Sequence, residues 1–270
     1  MGQRASNKNG ARIKDSTNEY FARVSSYGSL TVDEMFLAIA EGVVTNHSLM
    51  LKFGRNPDID TTEETIWEGG GIYPFQSSAV SLEILSASGD DAAAGTGART
   101  VTLIGLDANH AEQTQTITLN GTNAVAISGT WLRVHRCSVT TAGTGAVNAG
   151  LLTVRIAGGG TTLLVIGAGN GQTLMAVYTI PAGYSGYMLA YYASANATPT
   201  APYTDVKLFT RPAAGVINLK HQQALGPGYF THRFEAPFKI TEKTDIYINA
   251  TTSVNNTDVC AGFDMILIKN

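Results

Sequence analysis

A glycine cluster, five histidines and a scattering of acids are the residues of this chain best able to do chemistry. In TTLLVIGAGNGQT (161–173) an apolar run ends at Gly167, Gly169 and Gly171. Glycines between a strand and a helix can cradle a pyrophosphate on free backbone amides, with an acid about 20 residues on for the ribose. The spacing here is G-x-G-x-G, not G-x-G-x-x-G. The next residues carry Val177, Tyr178, Thr179 and Ile180 before Pro181, a strand composition, and no Asp or Glu occurs from Gln113 to Thr204. These residues predict a β-hairpin turn with positive-φ glycines and no cofactor.

The histidines (His47, His110, His135, His221 and His232) form neither HxH nor HExxH. His221 and His232 are placed to be strand neighbours, but zinc needs three or four ligands, so no metal is expected. Ser185 in GYSGY lacks the G-x-S-x-G elbow of a hydrolase nucleophile and reads as a tight loop. Paired acids for polysaccharide hydrolysis would have to come from Asp205, Glu235, Glu242, Asp245, Asp258 and Asp264 in the C-terminal half. Cys137 and Cys260 form no CxxC pair and read as buried free thiols. The expectation is therefore no catalytic residue and no enzyme activity.

Two other groups invite a binding reading. Tyr184, Tyr187, Tyr191 and Tyr192 cluster in sequence and offer either a glycan platform or a core joined to a subunit seam. In TWLRVHRCSV, strand alternation puts Arg133 and His135 on one face and Arg136 on the other, at a solvated edge or facing an acidic partner.

The elements that must position these groups are strands. Of 270 residues, 44% are hydrophobic but only 14% charged, against roughly 25% in an average domain. Low charge with abundant Gly, Thr and Ala suits β-structure whose surface is partly covered in an assembly. A net charge of −3 predicts no nucleic-acid partner. No apolar run approaches the ~18 residues of a membrane span, so no membrane partner is expected. Period-two runs begin near 78 and continue to the C-terminus, with Gly-Asp, Asn-Gly and Pro-Ala-Gly turns between them. The pentapeptide AGTGA occurs at 94–98 and again at 142–146 and marks two similar loops. Before the strands comes a polar, basic segment with Arg4, Lys8, Arg12 and Arg23. A short helix bearing Phe36, ended by Gly42, follows it, then an acidic stretch with a turn at Asn56-Pro57 and a helical turn at Glu63–Glu68. The predicted class is all-β: antiparallel β-sandwich or jelly-roll domains preceded by an extended arm. The divisions are 1–60 (arm with short helix), 61–157 (β-sandwich) and 158–270 (jelly-roll-like).

The blocks FGRNPDIDTTEETIWEGGGIYPF (53–75), GTGARTVTLIGLDANHAEQTQTITLNGT (95–122), TWLRVHRCSVTTAGTGAVNAGLLTVRIAG (130–158) and GAGNGQTLMAVYTIPAGYSGYM (167–188) resemble virion structural proteins of tailed bacteriophages, notably those of cyanophages and other aquatic podoviruses. With similar blocks covering about two-thirds of the chain, the resemblance implies a capsid cement or decoration protein. Such a protein is homotrimeric, made in the host cytoplasm and seated on the capsid surface, with the major capsid protein as partner. A tail or head fibre component recognising host glycans is the alternative it leaves open. The contact candidates are Arg4, Lys8, Arg12, Arg23, Phe36, Arg55, Trp67, Arg133 and Arg136. Tyr184, Tyr187, Tyr191 and Tyr192 serve the glycan alternative.

Overall fold

The computed structural model describes residues 12–14, 19–21, 23–24, 30–31, 35–196, 203–226 and 228–270. The chain divides into two compact units, Met1–Ser48 and Leu49–Asn270. In the first, β1 (Arg12–Lys14) pairs with β2 (Glu19–Phe21) and β3 (Arg23–Val24) with β4 (Leu30–Thr31). Helix α1 (Met35–Ala40) follows, and Gly42, at φ 72°, ends it as expected. Phe36 and Leu37 on this helix are exposed.

The second unit is all-β and contains two sandwiches, one inserted in the other. The outer one starts with β5 (His47–Ile59) and β6 (Glu64–Thr65). The inner one is then built from consecutive strands: β7 (Val80–Ser86), β8 (Ala98–Leu106), β9 (Glu112–Thr118), β10 (Val125–Trp131), β11 (Arg133–Ala142), β12 (Leu152–Ile156) and β13 (Thr162–Ile166). Its sheets have the orders β10-β7-β12-β13 and β11-β8-β9. Between them lie Leu82, Ile84, Val101, Leu103, Trp131 and Leu164, all buried. The chain then returns to the outer sandwich through β14 (Val177–Thr179), β15 (Tyr184–Asn196), β16 (Thr204–Pro212), β17 (Asn218–Leu225), β18 (Gly228–Ile240), β19 (Thr244–Thr252) and β20 (Thr257–Lys269). The outer sheets are β14-β19-β16-β17, with β6 on β19, and β18-β15-β20-β5. Ile59, Tyr178, Tyr191, Leu208, Ile248 and Phe263 fill the space between them. Hydrogen bonding thus joins β13 to β12 across the 157/158 division, and within the second unit it places β5 beside β20.

The composition acquires a structural meaning here. On the sheet β11-β8-β9, Thr102 Oγ1 lies 3.1 Å from Thr116 Oγ1 and 2.6 Å from Thr140 Oγ1, and Thr100 pairs with Thr141 at 2.7 Å. A hydroxyl ladder of this kind clothes a sheet face without charge. The two AGTGA copies bind each other. The Gly143 N–H donates to the Gly97 carbonyl and the Gly145 N–H to the Thr96 carbonyl, both at 2.8 Å. A Cβ on Gly143 would sit 2.3 Å from the Gly95 carbonyl oxygen. Beside this junction the buried Asp91 carboxylate accepts from Ser86 Oγ (2.6 Å) and from the amides of Ala98 (2.7 Å), Ala149 and Gly150 (both 2.8 Å). Burial pushes its pKa up, but these donors outweigh burial and hold it below the ordinary value. Gly143→Ala should cost about 1–3 kcal/mol, because backbone rather than a movable side chain blocks the new methyl. A lowered urea midpoint at unchanged slope would verify this.

Several local expectations are corrected. Residues 63–68 form no helical turn. Glu64 and Thr65 pair with β19, and Trp67 bridges to Met175. Strand β5 runs straight through Asn56-Pro57, which it can do because it lies at the edge of its sheet, where proline's missing N–H costs no ladder bond. Cys260 is exposed and only Cys137 is buried; burial lifts the Cys137 thiol to about 12.

Candidate functional site

Four strands deliver the most heavily bonded carboxylate among the described residues. Asp245 on β19 accepts from Arg133 on β11 (Nε to Oδ1 2.8 Å, Nη2 to Oδ2 3.1 Å) and from Thr179 on β14 (Oγ1 to Oδ1 2.6 Å). It also accepts from Arg211 on β16 (Nε 2.9 Å and Nη2 2.6 Å, both to Oδ2). Arg133 is itself satisfied, since its Nη1 donates to the Gln76 and Leu132 carbonyls. Burial alone would raise the Asp245 pKa, but the hydrogen bond and charge of Arg133, then Thr179 and Arg211, hold it below the usual carboxylate value. Arg211 also lies 3.9 Å over the Phe75 ring. Phe75 lies within a run of aromatic contacts, Trp67–Tyr73 (5.2 Å), Tyr73–Phe75 (4.8 Å) and Phe75–Tyr247 (5.3 Å). The WEGGGIYPF segment makes this run possible by folding back at Gly70 and Gly71, both at positive φ.

This cluster borders an open cleft of about 720 Å³, lined in part by Phe75, His110, Arg133, Arg211 and Ile217. An ionised carboxylate whose lone pairs are taken by two guanidiniums and a hydroxyl is a poor base and a poor nucleophile. Its position, with Arg133 from the inner sandwich and Arg211 and Asp245 from the outer, makes it a joint.

The glycine turn is a second joint. Gly169 and Gly171 have φ of 80° and 69°, as expected. It is not a hairpin, because β13 and β14 lie in different sheets and the turn carries the chain from one sandwich to the other. Its amides are already engaged. Gly167 N–H donates to Glu68 Oε2 (3.2 Å), Gly169 N–H to the Asn148 carbonyl (3.0 Å) and Gly171 N–H to Asn148 Oδ1 (2.9 Å). Glu68 also accepts from Asn170 Nδ2 at 2.9 Å. A carboxylate thus occupies the position where a phosphate would need donors.

At one end of the outer sandwich β17 and β18, the outermost strands of facing sheets, lie beside each other. Tyr191 reaches this side from the core, bonding His221 Nδ1 through its hydroxyl. His221 stacks on His232 at 4.1 Å, across the two sheets rather than as neighbours within one. Burial and then His232 lower the His221 pKa. Among the described residues no group of three His, Cys, Asp or Glu side chains is placed to hold a metal. Exposed apolar side chains accumulate here: Val216, Leu219 and Tyr229, the last 83% exposed. On β18 a register shift opposite Leu189 and Pro237 interrupt the edge, leaving Gly228–Arg233 as its regular stretch.

The predicted contact residues of the second unit are each tied to neighbours of their own. Arg4 and Lys8 lie outside the described residues; Arg12 and Arg23 fall in β1 and β3. Phe36 is exposed on α1. Arg55 is half-exposed but bonded to Asp258 (Nε 2.9 Å, Nη2 2.8 Å). Trp67 is buried, its Nε1 donating to the Gly71 carbonyl, so it is a core residue. Arg133 is consumed by Asp245, and Arg136 donates to the Leu51 carbonyl at 2.8 Å. The expected alternation fails at Arg136: His135 shares Arg133's face toward β14 and β19, and a bulge between Val134 and Arg136 brings Arg136 to that face too. Of the tyrosines, Tyr191 is fully buried, while Tyr184, Tyr187 and Tyr192 are half-buried. Sequence reasoning missed Arg211, Phe75, Lys52 and Asp91. Asp91 had a signal, its place just before the first AGTGA copy.

No protein-family model and no curated protein matches the chain. Among solved structures it aligns with the VP2 subviral particle of infectious bursal disease virus at 10% identity, over 84% of this chain and 72% of that one, with a TM-score of 0.23. T=1 particles derived from the same virus align at 11% identity, over 83% and 70%, with a TM-score of 0.24. Superposition at that level is too loose to define a shared fold.

Proposed function

We propose that the protein is a structural, non-enzymatic component of a virion, of the cement or decoration type. In this reading it self-associates, as a trimer, and binds the major capsid protein at the capsid surface. The observation that carries the reading is the open side of the outer sandwich. There two strand edges run together, with Tyr229, Leu219 and Val216 exposed, while the opposite side is occupied by the inner sandwich. Unpaired edges and exposed rings recruit further chains. The buried acids support the same reading, because Asp91 and Asp245 are spent on holding loops and sandwiches together. Helix α1, with Phe36 and Leu37 exposed, supplies a separate apolar contact for the shell.

One experiment with two proteins tests it. Tyr229→Asp should shift the protein from oligomer to monomer in sedimentation, because a buried unpaired charge opposes association. A protein lacking residues 1–48 should keep both sandwiches, oligomerise and lose shell binding. The cut belongs at 48 because Ile59 on β5 is core. Unchanged mass for Tyr229→Asp, or full shell occupancy without residues 1–48, would refute the corresponding half.

A further inference from the structure

We infer that a small pocket between β5, β11 and β14 binds a monovalent anion of chloride or nitrate size, held by Lys52 and Tyr178 and bridging the two sandwiches. The pocket measures about 80 Å³, room for two or three bodies of water size at about 30 Å³ each. Its lining is Met50, Lys52, Ile104, Glu112, His135, Arg136 and Tyr178.

The lining is rich in donors and poor in acceptors. Lys52, 2% exposed, gives one N–H to the His135 carbonyl at 2.5 Å, and no other acceptor among the described residues bonds its ammonium. Tyr178 Oη is buried without a hydrogen-bond partner, the single side-chain atom so placed among the described residues. Arg136 stands beside them and spends one Nη2 bond on Leu51. His135 adds no charge. Its Nε2 accepts the Thr179 N–H at 3.3 Å, and burial, then Lys52 and Arg133, hold its pKa well below the ordinary value. Glu112 is the one carboxylate in the lining; it is exposed, and its charge acts on the Tyr178 hydroxyl rather than on Lys52.

A buried cation without a buried acid is costly, and a buried hydroxyl without a partner adds to that cost. Burial, then Arg136, lower Lys52 to about 7. Water could accept from Lys52 and Tyr178 and donate to Glu112, but it carries no charge to balance the buried ammonium. An anion accepts from both groups and also balances the charge. Lys52 belongs to the outer sandwich and His135 and Arg136 to the inner, so the ion would tie the two together. This inference stands apart from the assembly role.

The test is thermal unfolding of the full chain at pH 6 and fixed ionic strength, with chloride or nitrate replacing gluconate, which is too large for the pocket. Above the dissociation constant, Tm should rise by about 2–4 °C per tenfold increase in chloride or nitrate. Tyr178→Phe should weaken the dependence and Lys52→Met abolish it. Equal dependence in wild type and Lys52→Met, or none in wild type, would overturn the inference. Should Lys52→Met not fold, wild-type crystals grown in bromide decide. An anomalous peak within about 3.5 Å of Lys52 Nζ upholds the site, and its absence overturns it.

Discussion

Asp245→Ala is expected to lower the unfolding free energy by about 3–5 kcal/mol, the usual cost of removing one partner from a buried ionic group. The carboxylate is nearly inaccessible, and Arg133 beside it is only 10% exposed. Its loss leaves two guanidiniums and the Thr179 hydroxyl without their acceptor. Asp245→Asn should cost nearly as much, since an amide keeps the shape but turns donors toward donors. The pH dependence follows from the direction of the shift. Asp245 has a folded pKa below its unfolded value of about 3.9, so its contribution is complete above roughly pH 5. It fades as pH falls through the folded pKa. Urea unfolding should therefore show a wide gap between wild type and Asp245→Ala at pH 7. That gap should narrow below pH 4. A gap independent of pH would mean the residue acts through packing alone.

Tyr191→Ala should be comparably damaging, at about 3–5 kcal/mol. The fully buried ring packs on Phe230 (5.0 Å), and its hydroxyl satisfies His221. Tyr191→Phe removes only the hydroxyl and should cost about 1 kcal/mol. Denaturant midpoints for both, with Tyr187→Ala as a half-buried control, would separate core from surface. The result bears on the glycan alternative. Lost glycan binding in Tyr191→Ala would report a damaged fold, so Tyr187→Ala and Tyr192→Ala are the informative variants. Glycan binding by the wild type that either of them removes would favour the fibre reading over a shell role.

What the sequence made legible was periodicity. Runs such as SAVSLEILSAS and ARTVTLIGLD alternate cleanly and became β7 and β8, because one face of each meets a core and the other meets water or a threonine ladder. Strand β5 shows why other parts were hidden. In LMLKFGRN the apolar Leu51 points outward, while Lys52, Gly54 and Asn56 point inward. That inversion is set by contacts from distant segments. A Cβ on Gly54 would lie 2.3 Å from the Ala176 amide nitrogen, and Lys52 reaches a carbonyl on β11. The Arg133–Asp245–Arg211 cluster was hidden for the same reason, since its members come from three strands of two sandwiches. The bulge at His135 defeated a simple parity argument, because one extra residue reverses every side chain beyond it.

The nesting of one sandwich within the other bears on how the chain is made. Strands β5 and β6 leave the ribosome before the inner sandwich, but their partners β19 and β20 emerge only after it and after β14–β18. The interrupting module, by contrast, holds all its own partners and can finish folding during synthesis. Until those partners emerge, β5 and β6 wait as a nascent flank with unsatisfied edges. Slow elongation through residues 177–270 would prolong that wait, and crowding of polysomes would make it hazardous.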